Sequence, residues 1–314
     1  MFEIVRYTAD RQSEWNEFLT HSKNGTFLFD RRYMDYHADR FADHSLMVYD
    51  RGRLCALLPA NDDGQGGWRS HQGLTYGGLV MDEKCRAAMV VDIFAQLNCY
   101  LRQAGFRHVV YKHVPWVYCG LPAEEDLFAL FNVCHATIRS RDVASVVMLD
   151  RRLPFSNLRR RGMKKALTAH LQVEETVQFR PFWQLLEDNL QSRFNARPVH
   201  TLQEIELLHS RLPEHIRLFV VTGGGMLVGG TVLYVSGQTV KTQYISANEE
   251  GKRTGALDLL FHELLQRFAA ENMRYFDFGT SNLVSNDDLN APLIFQKEGF
   301  GGRAVCYDTY EWIL

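Results

Sequence analysis

Residues 243–269 have the sequence QYISANEEGKRTGALDLLFHELLQRFA, and this stretch decides the fold that we predict. A strand runs into a Gly/Arg/Thr turn, which leads into an amphipathic helix. The buried strand RYFDFG (274–279) follows, and then a second helix that ends at KEGFG (297–301). A helix N-terminus with free N–H groups attracts anions, and Lys252 and Arg253 lie beside this one. This order of elements predicts an α/β acyl-transfer fold that binds a phosphate-bearing donor.

Length and composition limit the classes of protein to consider. At 314 residues, the chain is long enough for two domains. Its net charge of −2 gives no overall sign of nucleic acid or an anionic surface as partner. The six cysteines are scattered, without a C-x-x-C pair or zinc-ligand spacing, so we expect free thiols and no metal. We also expect no signal peptide and no membrane span, and therefore a cytoplasmic protein.

The two halves of the chain share one order of predicted elements: a β-meander, a helix, a strand, a helix and a strand. In the first half the third strand is predicted at residues 73–80, and in the second half a hairpin turns at residues 223–225. We therefore predict an α/β (α+β) protein with domains at 1–150 and 151–314. Each has a mixed, largely antiparallel sheet flanked by helices. A basic segment, 151–170, marks the boundary.

Several motifs together resemble the Fem-type (FemAB-like) peptidyltransferase relatives within the GNAT acyltransferase superfamily. They are DFGTS at 277–281, L-N-x-x-L-x-x-x-K-E-G-F-G at 289–301, GLTYGGL at 73–79, RPVH at 197–200 and Q-Y-x-S-A at 243–247. The resemblance covers nearly the whole chain. It implies two GNAT-like domains in tandem. It also implies transfer of an acyl or aminoacyl group from acyl-CoA or aminoacyl-tRNA to an amine.

The resemblance also implies a setting for this reaction. It points to peptidoglycan, cell-wall or exopolysaccharide-type metabolism, with a small-molecule or a lipid- or sugar-linked amine as acceptor. The donor is acyl-CoA or, alternatively, an aminoacyl group carried by tRNA. A different hypothesis stays open, in which the chain is a non-catalytic binding protein on a decayed GNAT fold.

The donor site is predicted at the end of one strand and in the turn that follows it. Backbone N–H groups and a guanidinium in the turn can hold a donor phosphate, and N–H groups at the strand end can hold the oxyanion. The alternative is an ordinary loop in which Thr254 caps the next helix. The predicted donor-binding residues are Ser246, Ala247, Arg253, Thr254, Gly255 and Ala256.

Lys297 and Asp277 are the predicted catalytic residues. The resemblance places a lysine of the Fem-type enzymes at position 297, where an ammonium can neutralise a donor phosphate or stabilise a leaving group. Asp277, at a strand end, can accept the proton of the attacking amine. The alternatives are a solvated lysine at a helix C-terminus and an aspartate that shapes a turn.

The acceptor site is predicted from residues in both halves of the chain. Paired glycines let a backbone approach a ligand closely, a histidine can serve as a base near neutral pH, and the basic segment can contact phosphates. The alternatives are a bulge, a surface histidine beside a helix cap, and a solvated helix face. The predicted residues are Tyr76, Gly77, Gly78, Lys164, Arg193, His200, Gln243, Tyr244 and Ser281.

Overall fold

Two units make up the chain in the computed structural model, which describes residues 2–283 and 288–314. The first unit comprises Met1–Asp142 and Cys306–Leu314, and the second comprises Val143–Val305. Both unit boundaries fall within long strands of the chain. The predicted domain division at residue 150 stays a prediction.

Strands and helices follow one another along the chain in the order that these labels give. The strands are β1 (Phe2–Arg6), β2 (Ala42–Asp43), β3 (Leu46–Asp50), β4 (Arg53–Leu58), β5 (Asn61–Asp62), β6 (Gly67–Arg69), β7 (Val80–Met81), β8 (His108–Lys112), β9 (Thr137–Met148), β10 (Gln172–Thr176), β11 (Ile216–Gly223), β12 (Met226–Ser236), β13 (Thr239–Ala247), β14 (Tyr275–Thr280) and β15 (Arg303–Ile313). The helices are α1 (Gln12–Thr20), α2 (Arg31–Met34), α3 (Ala87–Gln103), α4 (Glu125–Asn132), α5 (Asn157–Thr168), α6 (Phe179–Phe194), α7 (Leu202–Arg211), α8 (Glu249–Thr254), α9 (Ala256–Ala270) and α10 (Ala291–Glu298).

The first unit has two groups of paired strands. Strands β1, β3, β4 and β7 form an antiparallel sheet. In the second group, β8 pairs with β15 antiparallel and with β6 parallel, while β6, β5 and β2 continue antiparallel. Helix α3 buries Ile93, Phe94 and Leu97 on one face, as its helical apolar spacing predicts.

The second unit is built on a sheet with the strand order β10-β11-β12-β13-β14-β9. Its strands are antiparallel except for the neighbours β13 and β14, which run parallel. Helix α9 connects these two strands, as a parallel pair requires. Its buried side chains Leu260, Phe261, Leu264 and Phe268 recur at helical spacing and lie in the core with Phe276. The prediction of a mixed, largely antiparallel α/β fold is confirmed.

Residues 73–80 do not form the predicted third strand, because Val80–Met81 alone are in strand conformation there. The glycines place a turn against neighbouring backbone instead. A Cβ on Gly77 would lie 2.4 Å from the carbonyl oxygen of Ser70, and Gly78 has a φ of +87°. The positive φ of Gly78 is incompatible with strand conformation, and the close approach of Gly77 to Ser70 leaves no room for a side chain.

The turn predicted at residues 251–256 is also different, because most of it is helical. Asn248 caps the short helix α8 by accepting the Gly251 N–H at 2.8 Å. Gly255, with a φ of +81°, ends α8 and precedes α9. Thr254 is therefore the last residue of α8 and not the cap of the following helix.

Candidate active site

Strands β13 and β14 separate toward their C-terminal ends. They pair over residues 239–241 and 275–277, and beyond these residues no register joins them. Two irregularities accompany the separation. Gln243 forms a bulge opposite β12, and Gly279, with a φ of +72°, interrupts the register of β14 with β9. The two strands thus leave a gap in the sheet where side chains and backbone groups face each other.

A cavity of about 290 Å³ lies at this gap, with walls from α6, β13, α9 and α10. Most of its lining is apolar, including Ile245, Phe261 and Phe278. Four of the predicted site residues line it together: Ser246 and Ala247 from β13, Arg193 from α6 and Lys297 from α10. An apolar pocket with a few polar groups is the usual form of a small-molecule site.

Lys297 is buried and held by backbone carbonyls. Its Nζ donates to the oxygen of Gly279 at 2.9 Å and to the oxygen of Thr280 at 2.6 Å. The left-handed φ of Gly279 turns this part of β14 out of regular pairing, so its carbonyls are available to the lysine. Burial lowers the pKa of Lys297 to about 8, since the charged form is poorly solvated. The lysine is thus not the solvated helix-end residue of the alternative interpretation.

Two buried lysines and one buried carboxylate, Lys241, Lys297 and Asp277, interact electrostatically, and Lys297 borders the cavity. Asp277 is 0% exposed and accepts the Gly279 N–H at 2.7 Å. Burial lowers the pKa of Lys241, while the charge of Asp277 acts to raise it. Asp277 likewise opposes the lowering of the Lys297 pKa, and Lys241 adds to it. With both lysines protonated, this group has one more positive than negative charge, which favours an anion in the cavity.

Asn189 on α6 is a cavity residue that the sequence analysis missed. Its Nδ2 donates to Ser246 Oγ at 2.6 Å and to the oxygen of Ala247 at 2.9 Å, so it fixes α6 to the end of β13. A signal was present, because Leu186, Asn189 and Arg193 are spaced to share one helix face. Lys252 and Gln296 also line the cavity and were not among the predicted site residues.

His200 and Tyr244 form a pair beside β13. The Tyr244 hydroxyl accepts the His200 backbone N–H at 3.2 Å and lies 2.5 Å from His200 Nδ1. Since burial raises the pKa of Tyr244 to about 12, its hydroxyl keeps the proton that it can donate to Nδ1. This pair ties the loop before α7 to the strand that carries the bulge at Gln243. It gives His200 a structural task, while its predicted role as a base stays a prediction.

Three further predicted residues lie in a different depression of the second unit. Lys164 from α5 and Arg253 and Thr254 from α8 line an open groove, together with Lys165 and Glu250. Arg253 is exposed and makes an ion pair with Glu250. None of these five is among the residues that line the cavity at the β13–β14 gap.

Gly255, Ala256 and Ser281 are buried in the second unit. A Cβ on Gly255 would lie 2.3 Å from the backbone oxygen of Gly162 on α5, so close packing at this point requires glycine. The Ser281 hydroxyl has no hydrogen-bond partner within the described parts of the chain. Its backbone N–H donates to the oxygen of Val143 at 2.8 Å.

Tyr76, Gly77 and Gly78 belong to the first unit. Tyr76 is buried, with its ring 4.6 Å from that of Tyr118. A Cβ on Gly78 would lie 2.7 Å from the Tyr111 hydroxyl, which accounts for the glycine by close packing. Their acceptor-binding role stays a prediction.

The described residues contain neither a metal-binding cluster nor a helix that could span a membrane. Over residues 2–283 and 288–314, no group of three or more His, Cys, Asp or Glu side chains is arranged to hold a metal ion. None of the described helices has the length and apolar character needed to cross a membrane.

Comparison with known proteins identifies the fold to which this site belongs. Residues 156–287 match the model of an acetyltransferase (GNAT) domain. The crystal structure of FemX has a TM-score of 0.70 at 11% identity, covering 99% of this chain and 97% of FemX. The C-terminal domain of a putative lysylphosphatidylglycerol synthetase from Agrobacterium fabrum has a TM-score of 0.62 at 14% identity, covering 97% of this chain and 92% of that domain.

A tandem GNAT protein from the clavulanic acid biosynthesis pathway has a TM-score of 0.50 at 12% identity, covering 100% of this chain and 98% of that one. No curated protein matches the sequence significantly. At these identities the similarities establish the fold, which is two GNAT-like domains in tandem. The resemblance to the Fem-type relatives in the GNAT superfamily is thereby confirmed.

Proposed function

We propose that this protein transfers an acyl or aminoacyl group from an activated carrier to an amine. One observation supports the proposal above the others. The cavity at the β13–β14 gap joins apolar walls, a bulged strand and the buried ammonium of Lys297. Apolar walls suit the transferred group, while the ammonium suits the negative charge that develops during acyl transfer. The GNAT domain match and the Fem-type fold support the same class of reaction.

The reaction needs no covalent enzyme intermediate. The neutral acceptor amine attacks the carbonyl carbon of a thioester or ester and forms the new C–N bond. The tetrahedral oxyanion then collapses, and the bond from carbon to sulfur or oxygen breaks. Positioning of the two substrates and stabilisation of the oxyanion supply most of the rate acceleration. We propose that a backbone N–H at the end of β13, near the bulge at Gln243, donates a hydrogen bond to the oxyanion.

Lys297 moves the proton in this scheme. Two of its N–H groups are used by the carbonyls of Gly279 and Thr280, and its side chain borders the cavity. We assign its ammonium as the acid that protonates the leaving group, after which the neutral amine takes the proton released by the new amide. Its pKa of about 8 suits both directions of transfer. Asp277 is buried, so we assign it a positioning role through its turn at Gly279 and its charge.

The pH dependence of kcat tests this assignment. Because burial lowers the Lys297 pKa to about 8, the required ammonium form is lost as the pH rises through that value. We expect kcat to fall about tenfold per pH unit above pH 8. In Lys297→Arg the guanidinium stays charged, so the residual activity should lose this descending limb. An unchanged limb in that variant would show that another group titrates.

Binding of candidate donors tests whether the protein belongs to the proposed class of acyl or aminoacyl transferases. Thermal unfolding should be followed with acetyl-CoA, longer acyl-CoAs, free CoA and charged tRNA. A ligand that binds only the folded state raises the melting temperature, and the rise grows with the logarithm of its concentration above Kd. We expect a dose-dependent rise with at least one acylated donor. Binding of an amine acceptor with no response to any donor would instead favour the non-catalytic binding protein.

A specific surface favours aminoacyl-tRNA as the second candidate donor. Helix α5 exposes Arg160, Arg161, Lys164 and Lys165, and the last two line the groove that also contains Arg253. Clustered cations of this kind neutralise backbone phosphates and give salt-dependent binding. If tRNA is the carrier, its affinity should fall steeply with salt, whereas binding of a short acyl-CoA should change less. The acceptor is proposed as a small-molecule or a lipid- or sugar-linked amine of cell-wall metabolism.

A further inference from the structure

One carboxylate bridges two cations that line the cavity. Glu249 Oε1 lies 2.6 Å from Lys252 Nζ and 3.2 Å from the Arg193 guanidinium. Both cations border the cavity, whereas the Glu249 side chain is 85% exposed and is not part of its lining. A single oxygen thus holds two cations that come from separate helices, α6 and α8.

The next residues along α8 make a similar pair that faces elsewhere. Glu250 binds Arg253 through both carboxylate oxygens, at 2.6 and 2.9 Å. That pair lies in the open groove with Lys164, outside the cavity lining. The two glutamates therefore have the same charge, neighbouring positions and the same i,i+3 spacing to a cation. They differ in one respect: the cations bound by Glu249 border the cavity, and the cation bound by Glu250 does not.

We propose that Arg193 and Lys252 form a phosphate subsite at the cavity, and that Glu249 occupies it until a ligand arrives. The ligand chemistry is a phosphate group of the donor. A diphosphate replaces the carboxylate by a group with more charge and more acceptor oxygens, whereas a phosphodiester matches its single charge. This deepens the proposed function, on which it rests for the identity of the ligand. It also assigns Arg193, predicted to bind the acceptor, to the donor.

Replacement of Glu249 by a ligand anion requires little free energy. Exposed ion pairs contribute little to stability, so the release of Glu249 costs little free energy. The Lys252 ammonium, and after it the Arg193 guanidinium, lower the pKa of Glu249, so the carboxylate is charged and competes with an anion at neutral pH. Lys297 borders the same cavity, and its ammonium form favours the same sign of ligand.

Calorimetric titration with inorganic pyrophosphate tests the subsite directly. Glu249→Gln removes the competing charge, so we expect it to bind pyrophosphate about threefold to tenfold more tightly than the wild type. Glu250→Gln removes the same charge from the neighbouring pair and is the matched control, with an expected affinity equal to that of the wild type. Arg193→Gln and Lys252→Gln should each weaken binding, and high salt should reduce the difference between the two glutamate variants.

The outcomes separate this proposal from the proposed function. Equal pyrophosphate affinity in Glu249→Gln and Glu250→Gln, or no binding by any variant, would overturn the subsite even if acyl transfer occurs. Tighter binding by Glu249→Gln without transfer from any donor would support the subsite and contradict the proposed function. Parallel titrations with free CoA and deacylated tRNA identify the source of the phosphate, since the true donor should show the same response to Glu249→Gln.

Discussion

Replacement of Lys297 by methionine is expected to lower kcat by about 100-fold or more while the protein remains folded. Removal of one preorganised donor of this type typically costs two to three orders of magnitude. Methionine has similar length and no charge, so the fold should persist although Gly279 and Thr280 lose their hydrogen-bond donor. Steady-state kinetics with a saturating donor and amine measures the effect.

Controls for this variant separate chemistry from folding. Lys84→Met removes an exposed charge in the first unit and should leave kcat unchanged. The far-ultraviolet circular dichroism of Lys297→Met should match that of the wild type. A kcat within threefold of the wild-type value in a folded Lys297→Met protein would remove this lysine from the proposed proton transfer.

Gly255→Ala is expected to reduce the free energy of unfolding by about 2–5 kcal/mol, as the sum of two penalties. Its φ of +81° is left-handed, which costs an alanine about 1–2 kcal/mol. Its Cβ would also lie 2.3 Å from the Gly162 backbone oxygen on α5. Overpacking against atoms that cannot move away costs a further amount of about 1–3 kcal/mol. Denaturant titration of the purified variant measures the sum.

Gly225→Ala is the matched control for the second penalty. Gly225 has a φ of +79°, and a Cβ there would meet no atom within 4 Å. We therefore expect Gly225→Ala to show the backbone penalty alone. If the two variants lose the same free energy of unfolding, the close contact between α5 and the start of α9 does not exist as described. Reduced donor binding by a stable Gly255→Ala would instead support its predicted donor role.

Local sequence signals were sufficient for much of the fold. The second helix was predicted to end at residues 297–301, and α10 is observed at Ala291–Glu298. Asn290, Pro292 and the following glycines mark its limits. The hairpin at residues 223–225 was predicted from three consecutive glycines and is also observed. Strong periodicity between clear boundaries makes such elements predictable.

The errors arose where tertiary packing or a weak local signal decided the structure. Residues 73–80 were predicted as a strand, yet Gly78 has a φ of +87°, which lies outside strand conformation, and Gly77 packs against the backbone of Ser70. The sequence GKRTGA at residues 251–256 was interpreted as a turn because of its glycines and charges. Asn248 as cap and the i,i+3 ion pairs of Glu249 and Glu250 are nevertheless helix signals that were present.

The candidate site was predictable in part. Lys297, Ser246 and Ala247 were identified from motifs, and the structure brings them to one cavity. The burial of Lys297 was not predictable, since a lysine near a helix C-terminus is usually solvated. Asn189 and Lys252 reach the cavity because the gap between β13 and β14 lies beside α6 and α8. That arrangement depends on contacts between residues far apart in the sequence.

Calorimetric titration of the wild type and of Leu293→Trp with acyl-CoA and with charged tRNA tests the central claim most directly. Leu293 borders the cavity, so the larger side chain should fill it and exclude the transferred group. Phe295→Trp changes an exposed residue on the same helix and serves as the control. We predict that at least one donor binds the wild type and Phe295→Trp equally, and Leu293→Trp at least about tenfold more weakly. Equal binding by all three proteins, or no binding of either donor, would contradict an acyl-donor site in this cavity.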